Sequence, residues 1–339
     1  GISITDVDQL QTTNTVSAAT TLTVTTTNEA VFGDGAGDTV AAGTDISITA
    51  DEIDFGGGAN TVSGGGTLLL QPLTASATIG VGGGTGTLDL STADVDALAD
   101  GFTQITIGRS ADGTGNVDIN ASSFNDSLAV FGAGISVTGL DNTGSDVALT
   151  ARTGSITDGD AGTTTDITAA NLTLTANTTD QAIGSSANPL ELTLSGSVTA
   201  SANTGAGGIF LTETNQMVVA AGGIVADSGD IALNATSFDI DGNVTGNNID
   251  IDATGLVDIA AGVRLIAGGA GTTLTIDAGS LLAGNGTEGA ETITNFGTGT
   301  ISISVTGDMT FGDHSLSIGN ANLVLVAGGT IDGTDNDTD

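Results

Sequence analysis

The chain has 339 residues, with 40 acids against three arginines and no lysine, a formal net charge of −37. So negative a surface repels phosphate backbones and anionic headgroups, which argues against nucleic acid and membrane surfaces as partners. No apolar run approaches the ~18 residues of a membrane span, so membrane insertion is not expected.

All but six of the acids are aspartates, and they accompany 54 glycines, abundant threonine and only two prolines. Aspartate bonds nearby backbone N–H groups and favours turns over helix, so this composition predicts β-structure with frequent tight turns. Disorder is excluded by the regularly spaced valine, isoleucine and leucine, which disordered chains lack. The chain has no cysteine; if exported, it needs another source of cohesion, such as a long hydrogen-bonded ladder. No linker divides it, and the expectation is a single continuous domain over 1–339. It starts at Gly1 without methionine or signal peptide and stops mid-pattern at DGTDNDTD, as expected of a processed product or a piece of a longer chain.

In chain order, the first feature is FGDGAGDTV (32–40). It partly matches the G-G-x-G-x-D-x-U-x repeat of calcium β-rolls, but does not recur in tandem. Asp34 and Asp38 are candidate calcium ligands here. STADVDALADGF (91–102) then predicts one short helix near 92–100. Ser91 or Thr92 can cap it, Val95, Leu98 and Ala99 share a face, and Gly101 is placed to end it. Arg109 and Arg152 precede turn-like segments, RSADGTG and RTGS, and are expected to pair locally with an aspartate or a turn carbonyl. TDGDAG adds Asp158 and Asp160 to the calcium candidates.

A repeat emerges in the second half. LELTL (190–194), IFL (209–211), IAL (231–233) and IDI (249–251) form one set of strand candidates. Val198, MVV (217–219), FDI (238–240) and VDI (257–259) form a second, and Ile224, Val244 and Val263 a third. The three sets advance together with a period of about 20 residues, the mark of a solenoid. Each strand's best partner lies one period away, so the pairing is parallel. Coils stacked at about 4.8 Å, roughly 15 of them, would build a rod on the order of 70 Å long. Apolar side chains point inward along each strand, while Thr, Ser, Asn and Asp point out.

FDIDGNVTGNNIDIDATGLVDI (238–259) sets Asp239, Asp241, Asp250 and Asp252 on that outer face, where stacking brings aspartates of successive coils within about 5 Å. These four, and the tail acids Asp332, Asp335, Asp337 and Asp339, complete the calcium candidates. The competing reading is a solvated acidic surface suited to saline water, because clustered aspartates supply oxygens without necessarily forming a cage. Arg264 can neutralise Asp250 or Asp258 on an adjacent coil. His314, single and beside Asp313, completes no triad, and the glycine runs lack the lysine of a phosphate loop.

TIGVGGGTGTLDLSTADVDALADGFTQITIGRSADGTGNVDI (78–119) resembles a motif of very large bacterial exoproteins of the filamentous haemagglutinin type. The elements that match are a glycine-rich turn, a TLDL strand, a short helix ending in DGF, and ITIGR followed by a DGTG turn. Repeats such as ISVTG, VALTARTGSI and LTLTA resemble that family in style. The resemblance implies an all-β, right-handed parallel β-helix (β-solenoid), export to the medium or bacterial cell surface, and adhesive or fibre-forming roles. Partners would be cell-surface or matrix glycans, or the protein itself through end-to-end or lateral assembly with calcium bridging. Parallel β-helices also carry polysaccharide-degrading enzymes, and paired carboxylates are plentiful here. Sugar subsites usually need aromatic stacking faces, however, and this chain has no Trp or Tyr. The expectation is a structural protein rather than an enzyme.

Overall fold

The computed structural model describes residues 1–6, 8–33, 35–285, 293–295, 298–312, 316–318 and 320–333. The protein is all-β and 2% helical, a β-solenoid of about 14 turns of roughly 22 residues with one short helix. It divides into two compact units, Gly1–Leu172 and Thr173–Asp339. Among the described residues the named strands pair in parallel throughout, and no helix is long and apolar enough to cross a membrane.

In the first unit each opening coil supplies three short strands. Ile2 lies over Leu22, Leu22 over Ile46 and Ile46 over Leu68, steps of 20, 24 and 22 residues. Leu10–Thr12, Glu29–Phe32 and Glu52–Phe55 make the second track, and Val16–Ala18, Val40–Ala42 and Val62–Gly64 the third. Alternation decides burial: in Ile46–Thr49 the two isoleucines are buried and Ser47 and Thr49 turn outward. Phe32 and Phe55, in register on successive coils, stack with ring centroids 5.6 Å apart, a contact worth about 1 kcal/mol beyond the area it buries.

The step from Leu68 to Ile105 is 37 residues, because the strands Ile79–Val81 and Leu88–Leu90 and the helix are inserted there. Ile79–Val81 pairs on one side with Val117–Ile119 and on the other with Leu88–Leu90, only nine residues on. Parallel neighbours normally need a dozen or more residues of crossover. Here the chain turns back over its own strand, and glycine makes that possible. A Cβ on Gly86 would fall 2.0 Å from the Gly80 nitrogen, and one on Gly84 would fall 2.0 Å from the Asp118 carbonyl oxygen.

The helix follows at Thr92–Ala97, inside the expected span. Ser91 caps it: the Asp94 N–H donates to the Ser91 hydroxyl, and the Ser91 N–H donates to the Asp94 carboxylate, a reciprocal capping box. The helix stops earlier than the sequence suggests, and Gly101 does not end it. Leu98 is already extended and bridges Val62, and the Ala99 N–H donates to the Val62 carbonyl. Sheet pairing takes the backbone that a further helical turn would have used.

In the second unit the three tracks exist as expected, but the register slips at three places. Leu190 pairs with Leu211 rather than Ile209, Val198 with Val219 rather than Met217, and Val244 with Leu265 rather than Val263. Each slip is two residues, so every side chain keeps its face. Corner length absorbs the difference: Val263 sits in a turn, its N–H donating to the Ala260 carbonyl. Corners elsewhere are longer, as in the 28-residue step from Leu281 to Met309, which lifts the mean coil above the expected 20 residues.

Candidate metal centre

The strand Ile156–Asp158 carries the most informative polar group. Its alternation turns Ile156 inward, Thr157 outward and Asp158 inward, and Asp158 lies in register with the buried Val137 of the preceding coil. A carboxylate therefore occupies a core-facing position, only 9% exposed. The chain then closes a tight loop. The Asp160 N–H donates to Asp158 Oδ1 at 2.8 Å, the Gly162 N–H to Asp160 Oδ1 at 2.7 Å, and the Thr164 hydroxyl to Asp160 Oδ2 at 3.3 Å. Ala161 takes a left-handed φ of 59° at the apex. The loop ends at Asp166, fully buried, whose main-chain carbonyl accepts from the Leu140 N–H.

This folding brings Asp158, Asp160 and Asp166 together, with one carboxylate oxygen of each within 4.8 Å of the others. Among the described residues no other group of three acids, histidines or cysteines meets that spacing. Like charges gathered this closely repel one another unless a cation lies between them. Asp158 Oδ2 is buried and has no hydrogen-bond partner among the described residues.

The remaining sequence candidates fall elsewhere. Asp38 accepts from the Gly35 N–H in its own loop, while Asp34, His314, Asp335, Asp337 and Asp339 lie outside the described residues. Asp239 stands in register with Asp258, and Asp252 with Asp277 and Asn234, so aspartates of successive coils are direct neighbours as expected. Asp250 and Asp252 share one exposed strand face, Asp241 is exposed at a corner, and Asp332 lies exposed on the strand Ile331–Gly333. Partial burial and these mutual charges push the Asp239, Asp250, Asp252 and Asp258 carboxyls above their usual range.

A second acidic gathering, which sequence reading did not single out, lies on the outer face of the Glu29–Phe32 and Glu52–Phe55 strands. Glu29 and Glu52 are register partners, and the Asp89 N–H donates to Glu52 Oε2 at 3.1 Å. Burial, with Asp54, Asp89 and Asp94 nearby, pushes Glu52 up to about 7. Asp94 itself is buried, accepts from the Phe55 N–H and the Ser91 hydroxyl, and is also raised by its burial. The register pairing and the return of Leu88–Leu90 assemble this group, and neither is visible in local sequence.

Arg109 pairs with a nearby aspartate as expected, whereas Arg152 bonds turn carbonyls 41 and 42 residues upstream instead of pairing locally. Arg109 bonds both Asp112 oxygens at 2.7 Å and the Pro72 and Leu73 carbonyls at 3.1 and 3.0 Å. Arg152 reaches the Ser110 and Ala111 carbonyls of the same turn. The main-chain N–H of Arg264 donates to Asn243 Oδ1.

Comparison of the chain with protein-family models, curated proteins and solved structures found no match. The functional reading therefore rests on geometry and chemistry.

Proposed function

We propose that this chain is a structural extracellular protein, a section of a surface adhesin or fibre whose work is mechanical. The observation that supports this best is the in-register main-chain ladder between successive coils within each unit, seen for example in the six consecutive paired residues of Thr273–Ala278 and Thr300–Val305. Such a ladder shares a load over many hydrogen bonds and leaves few unpaired main-chain groups for a protease to engage. The outward threonines, serines and aspartates keep that ladder hydrated, and the net charge keeps molecules apart. The resemblance of 78–119 to haemagglutinin-type exoproteins points the same way. The test is adhesion of beads coated with the purified chain to glycan- and matrix-coated surfaces under flow. Retention above an uncoated control supports an adhesin. No retention, together with release of reducing sugar from a polysaccharide panel, overturns it in favour of an enzyme.

A second reading, a self-assembling filament bridged by calcium, draws on the aspartates stacked in register on the outer face, Asp239 beside Asp258 and Asp252 beside Asp277. Electron microscopy with and without calcium separates it from the first: calcium-dependent filaments support assembly, and dispersed particles in both conditions refute it.

A further inference from the structure

The loop 158–166 differs from every outer aspartate pair in one respect: two of its three carboxylates, those of Asp158 and Asp166, reach into the molecule. Asp158 is 9% exposed and Asp166 fully buried, whereas Asp250 and Asp252 face solvent. A buried charge persists only when it is paired or bound to a metal. The chain holds just three arginines and no lysine, and Arg109 and Arg152 are engaged with the turn around residues 109–113. The unpartnered Asp158 Oδ2, enclosed beside two further carboxylates, marks a place for a positive charge.

We propose that Asp158, Asp160 and Asp166 hold one calcium ion, which closes the corner between the strands Ile156–Asp158 and Ile167–Ala169. The donor set is hard oxygen with no thiolate or imidazole, which selects against zinc and softer metals. Calcium takes oxygens at about 2.4 Å in flexible geometry, and three carboxylate oxygens within 4.8 Å of one another are close enough to share one such ion. Magnesium demands a near-ideal octahedron at about 2.1 Å and gives up its waters reluctantly, so a loop of protein carboxylates suits it less. The spacing agrees: Asp158, Asp160, Gly162 and Asp166 occupy positions 1, 3, 5 and 9 counted from Asp158, and calcium loops draw ligands from alternate positions of this kind. This site is internal to one unit and does not depend on whether the chain adheres or assembles.

The experiment is isothermal titration of the full chain, stripped with chelator, with calcium at about 0.15 M salt, where exposed charges are screened. The expected result is a saturable site for one calcium per chain, weakened at least about ten-fold in Asp160→Asn and in Asp158→Asn, as loss of a charged ligand demands. Magnesium should bind about ten-fold more weakly or less, and Asp252→Asn on the outer face should bind calcium as the parent does. Asp160 is exposed, so its variant carries the test alone if circular dichroism shows that Asp158→Asn fails to fold. Diffuse uptake without saturation overturns the proposal, as does a site that survives Asp160→Asn or is lost equally in Asp252→Asn.

Discussion

Replacing Glu52 with glutamine should stabilise this protein, and only at neutral and alkaline pH. Glu52 lies opposite Glu29, with Asp54, Asp89 and Asp94 around it. Burial above all raises its carboxyl from 4.5 to about 7, against the lowering effect of the Asp89 N–H and with the Asp54, Asp89 and Asp94 charges adding to the rise. The folded protein thus holds this proton more tightly than the unfolded chain does. The contribution of this group to stability is fully present below pH 4.5, where both states are protonated, and is lost as the pH climbs through about 7. The full shift corresponds to about 3 kcal/mol, and solvent screening of a partly exposed group reduces this to about 1–2 kcal/mol. Glutamine keeps an acceptor for the Asp89 N–H and cannot ionise. Urea unfolding followed by far-ultraviolet circular dichroism should show Glu52→Gln more stable than the parent by about 1–2 kcal/mol at pH 8 and equal to it at pH 4. A variant that is neutral or destabilised at pH 8, or one that gains equally at both pH values, would refute the reasoning. Asp54 and Asp94, raised chiefly by burial, add to the same downward slope.

Other substitutions test the packing. Gly86→Ala should cost about 3 kcal/mol or more, because its Cβ would meet the Gly80 nitrogen at 2.0 Å and backbone cannot yield cheaply; a melting point within a degree or so of the parent would contradict this close approach of the returning chain to Ile79–Val81. Phe238→Ala, at a fully buried ring stacked in register between Met217 and Val257, should cost about 3–5 kcal/mol in denaturant unfolding. Arg109→Ala removes the tie between its turn and the Pro72 and Leu73 carbonyls and should cost about 1–2 kcal/mol, read as faster protease nicking near residues 109–113.

The inward and outward faces were set by the sequence alone. Alternation in segments such as ISIT (46–49) and IDIDA fixes which side chains face inward whatever partner the strand finds, because neighbouring residues on a strand point to opposite faces. The recurrence of those segments about 20 residues apart implied parallel coils, and Ser91 or Thr92 marked the helix start. Sequence spacing could not fix register, since a two-residue slip such as Val244 onto Leu265 leaves every face unchanged. The end of the helix, where Leu98 joins Val62, depended on a strand 36 residues upstream.

The candidate metal centre divides along the same line. Asp158 and Asp160 stand out as a local pair, whereas Asp166 follows three threonines and breaks the alternation by being buried directly before the buried Ile167. Only the closing of the loop against the coil of Leu140 brings its carboxylate to the other two. Local chemistry is written in short stretches of sequence. Which distant groups meet is decided by how many residues each corner spends, and that is settled only when the coils pack.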